Sequence, residues 1–484
     1  MARYAGLPQS LVHMLRASVE ANPHGPAIAE VGGETLSYTE LWDRAARVAG
    51  GLRAAGLGRG DRAGILLPNG VDWVLAYWGC QLAGVVVVPI NTRFRPAEVD
   101  YVVQDSGARH VFRAGESLPD GDPTVVEDLE LEDLAAIFYT SGTTGFPKGA
   151  MTTHANLLAN VESAIRCVEI DRTEGPEIAT LINVPLFHVT GCDAQLLVLL
   201  AIGGCSHILA NPLDLDGFLT TVAEHGIQRL TSVPAIYHAL TRHPRFHETD
   251  LSAVRWVSYG GAPIAASAVH AMMAAFPGAR LGNGFGLTET SSLTSFLPHE
   301  DAAEHADSVG YAMPVVDLAI DAPDPGTGVG ELLVRGQNVV VGYWNKPEAT
   351  AETFTAGWLH TGDLARIEDG RLYIVDRAKD MINRGGENVY SIEVEAALAA
   401  APGVLEVAVI AVPDEMMGEK VGAVIVPGEG YDTATVIAHV RERIADFKVP
   451  QYVALREEPL PRNPGGKVLK AQLRESTRWG APLR

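Results

Sequence analysis

The chain has 484 residues, of which 47% are hydrophobic and 20% are charged, the composition of an ordinary globular protein. A single hydrophobic core does not extend over a chain of this length, so more than one domain is expected. The 37 basic and 59 acidic residues give a net charge of −22, which argues against nucleic acid or an anionic membrane as a partner. Any polyanionic ligand must therefore be held by a local cluster of donors.

The four cysteines contain no Cys-x-x-Cys pair, which excludes the usual zinc and redox motifs and favours a reducing, cytoplasmic location. The N-terminal segment lacks the long apolar stretch of a signal peptide, and its apolar spacing predicts an amphipathic helix. Residues 196–204 are strongly apolar but too few to cross a bilayer, which predicts a buried helix and no membrane span.

Strands and helices alternate along the first part of the chain. Residues 62–68, 70–84 and 85–91 have the patterns of a strand, a helix and a strand, the unit from which parallel sheets covered by helices are built. The same alternation continues through residues 207–210, 215–225, 228–234, 254–263 and 279–289. We predict one large α/β body, in which ligands gather at the carboxyl ends of the strands.

The pattern changes after Thr290. Residues 328–344 predict a small β-subdomain, and residues 365–375 predict a hairpin with Asp369-Gly370 at its turn. A compact unit of helix, two strands and helix follows Lys379. The predicted fold class is therefore α/β, with an N-terminal domain at residues 1–378 and a small C-terminal α+β domain at residues 379–484.

The stretch YTSGTTGFPKGA, residues 139–150, combines glycines, hydroxyl side chains and one lysine. Glycines let backbone N–H groups converge on an anion, and Lys148 adds a positive charge. The pattern differs from a P-loop, because Lys148 is followed by Gly149 and not by Ser or Thr. The residue types indicate phosphate binding but do not specify a reaction.

This loop resembles the phosphate loop of the adenylate-forming superfamily, which includes acyl-CoA synthetases, stand-alone adenylation domains and beetle luciferases. Seven further segments resemble motifs of that family, in the family's order and over nearly the whole chain. They are NVPLFHVTG (183–191), YGGAPI (259–264), GFGLTET (284–290), GELLVRGQNVVVGYWNKPEAT (330–350), WLHTGDLA (358–365), DRAKDMINRGGENVYSIEVE (376–395) and PRNPGGKVLK (461–470).

The resemblance implies an enzyme that works in two steps with ATP, Mg²⁺ and CoA. A carboxylate attacks the α-phosphate of ATP to give an acyl-adenylate and pyrophosphate, and the thiol of CoA then displaces AMP. The N-terminal domain is expected to bind ATP and the acid. The C-terminal domain is expected to move between the two steps and to carry the catalytic lysine.

The family's ATP-binding residues carry over onto matching positions of this sequence: Thr140, Ser141, Gly142, Thr143, Thr144, Gly145, Lys148, Gly260, Gly261, Ala262, Pro263, Gly284, Phe285, Gly286, Thr288, Asp363, Arg377 and Lys467. Lys148 and the loop hydroxyls would hold the β- and γ-phosphates, and Thr288 would contact the α-phosphate. Glu289 would hold Mg²⁺, which prefers oxygen ligands. Asp363 and Arg377 would contact the ribose. Phe285 stands where the family usually has Tyr.

Lys467, Thr288, Glu289 and Lys148 form the expected catalytic set, with Lys467 stabilising charge that develops in the adenylation transition state. By its position, Lys379 is the expected hinge. Gly385, Gly386 and Glu387 are expected to contact CoA in the second step. Arg384, where relatives often have Ser, could contact a CoA phosphate or face water, and Lys470 is expected to be solvated.

His188, Gly261, Gly286 and Ser232 are expected to contact the acid, with His188 as a gate. The segments around them are mostly apolar, which favours a hydrophobic carboxylic acid, fatty or aromatic. Because Asp193 is close in sequence to His188, a substrate that carries an amino group stays an open alternative. Two rival functions stay open, namely transfer of the adenylate to a carrier-protein thiol or another nucleophile, and a catalytically inactive binding module. The oligomeric state is also open, a homodimer included.

Overall fold

The structure is a computed structural model that describes residues 2–140, 147–262, 264, 266–462 and 468–483. The chain packs as two compact units. The first comprises Met1–Leu318 and Val334–Leu359, and the second comprises Ala319–Leu333 and His360–Arg484. The predicted domain boundary, between residues 378 and 379, does not coincide with the division into these two units. It concerns the part of the chain that moves, and it stays a prediction.

The helices of the described residues are, in chain order, α1 (Leu11–Ala21), α2 (Tyr38–Ala54), α3 (Val71–Ala83), α4 (Pro96–Ser106), α5 (His154–Cys167), α6 (Val189–Gly191), α7 (Leu197–Ala201), α8 (Leu215–His225), α9 (Pro234–Leu240), α10 (Ala266–Ala275), α11 (His299–Ala302), α12 (Pro347–Thr353), α13 (Ser391–Ala399), α14 (Thr433–Arg441) and α15 (Lys470–Ser476). The amphipathic N-terminal helix and the buried helix within residues 196–204 are thus confirmed, as α1 and α7.

The strands of the same residues are β1 (Pro26–Glu30), β2 (Thr35–Ser37), β3 (Arg62–Leu66), β4 (Val86–Pro89), β5 (His110–Arg113), β6 (Leu134–Thr140), β7 (Lys148–Thr153), β8 (Ala179–Ile182), β9 (Cys205–Ile208), β10 (Arg229–Ser232), β11 (Trp256–Gly260), β12 (Arg280–Phe285), β13 (Ser295–Leu297), β14 (Tyr311–Ala312), β15 (Val316–Asp321), β16 (Gly330–Gly336), β17 (Phe354–Thr355), β18 (Trp358–Glu368), β19 (Arg371–Arg377), β20 (Ile382–Arg384), β21 (Glu387–Val389), β22 (Val404–Asp414), β23 (Gly418–Pro427) and β24 (Tyr452–Leu455).

Two sheets with parallel cores organise the first unit. The larger has the strand order β14-β13-β12-β11-β10-β8-β9-β1-β2, and its strands from β12 to β1 run parallel. The other has the order β5-β3-β4-β6-β7, parallel except for β7. Helix α3 is buried along its whole length, which explains why its sequence is apolar all round. The predicted α/β body is confirmed.

Smaller sheets lie later in the chain. One has the order β15-β16-β18-β17, with β19 paired to β18 in the predicted hairpin. Its turn has left-handed backbone at Asp369 (φ 49°) and Gly370 (φ 79°), as expected of an Asp-Gly turn. Another has the order β21-β20-β23-β22, with β24 beside β23 and α13 and α14 packed on its apolar core. Within the described parts of the chain, no helix is both long and apolar enough to cross a membrane.

Candidate active site

The carboxyl ends of three neighbouring parallel strands bring predicted site residues together in the first unit. Strand β10 ends at Ser232, β11 at Gly260 and β12 at Phe285. Gly260 and Gly284 are direct partners in the sheet, and a Cβ added to Gly260 would lie 2.1 Å from the Gly284 carbonyl oxygen. The two backbones approach so closely that Gly260 admits no side chain, which leaves an open backbone edge for a ligand.

Two more predicted glycines are also fixed by close approach or by conformation. A Cβ at Gly286 would fall 1.4 Å from the Ser292 carbonyl oxygen, so the turn after β12 requires glycine. Gly261 has a φ of +75°, in the left-handed region. Ala262 follows it directly, whereas Pro263 lies outside the described residues. The geometry is compatible with the predicted nucleotide and acid contacts at these positions, which stay predictions.

Lys148 and Glu289 meet on a third residue, Tyr343. The Tyr343 hydroxyl donates a hydrogen bond of 2.7 Å to Glu289 Oε1. The Lys148 ammonium lies over the face of the same ring, 5.0 Å from its centroid. Burial and the neighbouring Glu289 carboxylate raise the pKa of Tyr343, so the phenol stays protonated and acts as a donor. We call these three residues the Lys148–Tyr343–Glu289 cluster.

Sequence reasoning missed Tyr343, although the residue lies within the motif GYW that carried part of the resemblance. The structure shows its place through the backbone pairing. The segment around Tyr343 lies beside β7, where Met151 N–H donates to the Gly342 carbonyl (2.9 Å) and Trp344 N–H to the Gly149 carbonyl (2.8 Å). Pairing with the strand that begins at Lys148 puts this segment at the base of the predicted phosphate loop.

The remaining residues of the phosphate site are only partly described. Thr140 ends β6 and is the sheet partner of Lys148, so both ends of the phosphate loop are held by one antiparallel pair. Thr288 begins a short 3₁₀ turn that also contains Glu289. Ser141, Gly142, Thr143, Thr144 and Gly145 lie outside the described residues, as does the predicted catalytic Lys467.

His188 caps the short helix α6, where its Nδ1 accepts a hydrogen bond from Thr190 N–H at 3.3 Å. The side chain is accessible to solvent, yet the protein encloses it closely enough that burial lowers its pKa. The imidazole is therefore neutral at neutral pH. The role of His188 as a gate stays a prediction. Ser232 is buried, and its hydroxyl has no hydrogen-bond partner among the described residues.

In the second unit, the two predicted ribose contacts bind each other. Arg377 Nε lies 2.5 Å from Asp363 Oδ1, and the two residues face each other across the β18–β19 pair. Asp363 is buried, while the Arg377 side chain is 30% exposed. The ion pair holds the buried Asp363 carboxylate in place, and the Arg377 guanidinium is the partner that solvent can reach.

The predicted hinge lies in a turn directly after β19. Lys379 is exposed, and its carbonyl oxygen accepts a 3.3 Å hydrogen bond from Arg474 Nη2. Arg474 also donates to the neighbouring Asp380 at 2.7 Å. Helix α15 therefore contacts the hinge turn directly, within a single compact unit.

The expectation that Lys470 is solvated was wrong. Its ammonium group donates to Ser391 Oγ at 2.6 Å and pairs with Glu395 at 2.7 Å, and its side chain is only 13% exposed. Asp376 is also bound to Ser391, at 3.0 Å between Oδ1 and Oγ. A basic C-terminal tail is usually solvated, but here helix α15 packs its first residue against α13, where the buried carboxylates need a cation.

Gly385 and Gly386 form the turn of the β20–β21 hairpin, with φ of +63° and +94°. Both angles are in the range that favours glycine, and an added Cβ at Gly386 would meet no atom within 4 Å. Arg384 Nη1 lies 3.7 Å from Glu387 Oε2 across this turn, so Arg384 is ion-paired and does not simply face water. The open backbone is compatible with the predicted CoA contact, which no observation yet tests.

The chain is similar to known families and proteins over most of its length. Residues 15–128 and 113–344 match the family model described as AMP-binding enzyme, and residues 393–467 match the AMP-binding enzyme C-terminal domain. The chain is 37% identical to a feruloyl-CoA synthase of Amycolatopsis sp over 94% of this chain and 96% of that protein. It is 33% identical to a long-chain-fatty-acid–CoA ligase of Mycobacterium tuberculosis over 96% and 97% of the two chains.

Among solved structures, it resembles o-succinylbenzoate CoA synthetase (MenE) of Bacillus subtilis, which has been solved with the acyl-adenylate intermediate and with ATP and a magnesium ion. The structure with the acyl-adenylate has a TM-score of 0.87 and 27% identity, with 96% of this chain and 98% of that chain covered. The predicted resemblance is confirmed: the chain belongs to the family of AMP-binding, adenylate-forming enzymes.

Proposed function

We propose that this protein is an AMP-forming acid–CoA ligase, which activates a hydrophobic carboxylic acid as acyl-AMP and transfers the acyl group to CoA. The observation that carries the proposal is the Lys148–Tyr343–Glu289 cluster in a member of the AMP-binding enzyme family. The phenol fixes a cation and a carboxylate, the two kinds of group that phosphoryl chemistry needs. The cation binds phosphate oxygens, and the carboxylate offers oxygen ligands to a metal.

The residues present fit a magnesium ion. Glu289 is half-buried and offers carboxylate oxygens, the ligands that this hard cation prefers. The Tyr343 hydroxyl fixes one of these oxygens, as outer hydrogen bonds commonly do for metal-binding carboxylates. Glu289 would hold Mg²⁺, which would supply neutralising charge beside the ATP phosphates, and Lys148 would bind the phosphates that leave as pyrophosphate.

The attacking group needs no general base, because a carboxylic acid is already ionised at neutral pH. The work of the protein is then to align the carboxylate with the α-phosphate and to stabilise the charge that develops. Thr288 and Lys467 are the residues that we assign to the α-phosphate. We place the neutral His188 at the carboxylate end of the acid site, as its gate.

Two observations support a hydrophobic acid and CoA as co-substrates. The relatives compared above include a feruloyl-CoA synthase and a long-chain-fatty-acid–CoA ligase, so both aromatic and fatty acids occur among similar proteins. The Gly385–Gly386 turn exposes backbone without side chains, which suits a thin pantetheine arm. We place residues 379–484 as the part that rotates about Lys379 between the two steps.

A panel of carboxylic acids in a pyrophosphate-release assay tests the proposal, with and without CoA. We expect release that depends on the acid, and acyl-CoA formation in the presence of CoA. Lys148→Ala should lower pyrophosphate release strongly, whereas Lys346→Ala, which removes a half-buried lysine paired to Asp105, should not. Acyl-AMP that accumulates and is never transferred to CoA would favour a carrier-protein acceptor. No release with any acid would refute the proposal.

A further inference from the structure

A carboxyl group with no strong partner is buried shortly after His188, the predicted gate of the acid site. Asp193 lies in a π-helical segment, Cys192–Leu196, that follows α6 directly. Its side chain is fully buried, and in the described parts of the chain its carboxyl oxygens meet no donor stronger than the Cys192 thiol. Burial of a lone carboxyl group is unfavourable unless the group is neutral or gains a partner.

The groups around this carboxyl are also polar and incompletely bonded. The Cys192 thiol, a weak donor, contacts Asp193 on one side and the Tyr77 hydroxyl on the other. The Tyr77 hydroxyl, like the indole N–H of Trp73, finds no other partner among the described residues. The Trp73 and Tyr77 rings stack, with centroids 5.4 Å apart. One aromatic wall and one carboxyl therefore enclose a small polar spot inside an apolar core.

The position of this spot relative to the acid site follows from the backbone. Asn160 is buried and donates to the Asp193 carbonyl at 3.0 Å, while its own side-chain oxygen accepts from Leu293 N–H at 3.1 Å. Leu293 follows Ser292, the residue that lies against Gly286. The π-helical segment is thus fixed to the same turn that carries the predicted acid contact. Irregular π segments in helices are frequent at functional sites.

We infer that Asp193 selects an aromatic acid that carries a hydroxyl group at the end far from its carboxylate. This inference rests on the proposed function, since it uses His188 as the carboxylate end of the pocket. Asp193 lies five positions after His188 along α6 and the π-helical segment, an axial rise of about 7 Å, which is comparable with the length of an aryl acid and short for a long-chain fatty acid.

The protonation state of Asp193 favours a neutral hydroxyl over an ammonium group. Burial raises the pKa of Asp193 well above its usual range, which favours the neutral carboxylic acid. A neutral carboxylic acid has one donor and one acceptor, and a phenol has the same pair, so each satisfies the other. An acid without the hydroxyl would leave the Asp193 carboxyl unpaired in the complex.

The test compares para-hydroxycinnamate, cinnamate and para-methylcinnamate in the pyrophosphate-release assay. Sites built to bind a substrate hydroxyl reject analogues that lack it, so we expect kcat/KM to favour the hydroxylated acid by at least about 100-fold. Asp193→Leu should reduce this ratio about 10-fold or more and raise kcat/KM for the methyl analogue. The KM for ATP should not change. Asp193→Asn, which keeps size and polarity, should retain more of the ratio than Asp193→Leu.

Ser206→Ala is the control, because Ser206 is another buried polar side chain whose oxygen has no partner among the described residues. It should leave the ratio unchanged. The wild-type ratio needs no variant, so a ratio near one overturns the inference even if Asp193→Leu does not fold. A ratio that survives in folded Asp193→Leu overturns it as well. If the acids are turned over without a preference for the hydroxylated one, this inference is refuted and the proposed function stands. If no acid is turned over, the proposed function fails. The preference for the hydroxylated acid is then measured as a ratio of binding affinities by calorimetry with the same acids.

Discussion

The Tyr343 hydroxyl binds Glu289 at 2.7 Å while the Tyr343 ring lies beneath the Lys148 ammonium, 5.0 Å from ring centroid to Nζ. One side chain thereby sets the position of two groups with opposite charge and different roles. The two functions of the tyrosine belong to different parts of its side chain. The hydroxyl orients the Glu289 carboxylate, and the ring face contacts the Lys148 ammonium.

Tyr343→Phe removes the hydroxyl and keeps the ring. A hydrogen bond to a charged group contributes about 1.5–3 kcal/mol, so we expect kcat/KM for adenylation to fall about 10-fold or more. Because Glu289 loses its fixed orientation, the Mg²⁺ concentration needed for half-maximal rate should rise. Pyrophosphate release at varied Mg²⁺ measures both effects.

Tyr311→Phe is the control for this substitution, since Tyr311 also donates to a carboxylate, Asp301, at 2.7 Å but lies on the edge strand β14. It should leave the Mg²⁺ dependence unchanged. An equal loss of rate at all Mg²⁺ concentrations in Tyr343→Phe would show that the hydroxyl does not act through Glu289.

Lys467→Ala should abolish adenylation and spare thioester formation from supplied acyl-adenylate. Loss of one preorganised charge contact lowers the rate by about 10²–10³-fold. Single-turnover assays of each half-reaction measure the two steps. A parallel loss in both steps would contradict a role confined to adenylation.

Lys379→Pro should have the opposite effect, because proline fixes φ at the residue where a hinge must change it. We expect pyrophosphate release to persist and acyl-CoA formation to fall. Ala378→Pro tests the neighbouring position of the same turn. Normal overall turnover in Lys379→Pro would exclude Lys379 as the hinge.

Lys470→Met should destabilise the protein on the order of 3 kcal/mol, because it leaves buried carboxylates without their cation. Burial raises the pKa of both Glu395 and Asp376. A carboxyl group whose pKa is raised in the folded protein binds its proton at a higher pH there than in the unfolded chain. Such a group therefore makes the free energy of unfolding larger as pH falls. The loss in the variant should therefore be larger near pH ~8 than near pH ~5.

Urea denaturation at both values of pH gives this difference. Lys448→Met is the control, since Lys448 pairs with Glu393, whose side chain is 39% exposed. An exposed pair contributes little, at most about 1 kcal/mol, and should show a small loss at either pH. A loss in Lys470→Met that does not depend on pH would refute the proposed role of the carboxylates.

His154 makes the fold sensitive to acid. The residue is buried, its Nδ1 accepts from Leu11 N–H, and burial lowers its pKa from 6.5 to about 4. A lowered pKa means that the contribution to stability is complete above pH 6.5 and is lost as pH falls from 6.5 to about 4.

The full loss corresponds to about 3 kcal/mol. His154→Asn keeps an acceptor without a titrating ring, so its unfolding free energy should fall less steeply between pH ~6.5 and ~4. Denaturation with urea across this range measures the slope. An unchanged slope would assign the acid sensitivity to other groups.

The sequence predicted the fold well where periodicity is strong. The strand–helix–strand unit of β3, α3 and β4 appears where the apolar runs predicted it, because short buried strands and glycine-closed helices leave clear local signals. The Asp369-Gly370 turn was equally readable, since few residue pairs adopt its backbone angles. Family motifs placed the candidate site residues, which local pattern alone would not have assigned.

Interactions between distant residues were not readable from the sequence. Tyr343 contacts Glu289 across 54 residues of chain, and Lys470 reaches Ser391 across 79. No local pattern reports which partner a phenol or an ammonium group finds at such separation. The same limit applies to Asp193, whose isolation depends on what α3 and α5 place around it.

The division of the second unit into two separate stretches of sequence restricts which part of the protein can turn. Chain passes between the two units at Leu318, Leu333 and Leu359, so three covalent strands join them. A body tethered three times cannot swing freely, whereas a body joined by one connection can. If the moving part begins after β19, only one chain connection, the turn at Lys379, joins it to the rest of the protein. A shuttling module should therefore begin there, and exchange of this module between relatives should be attempted at the same turn, because a junction at His360 would separate β18 from β16.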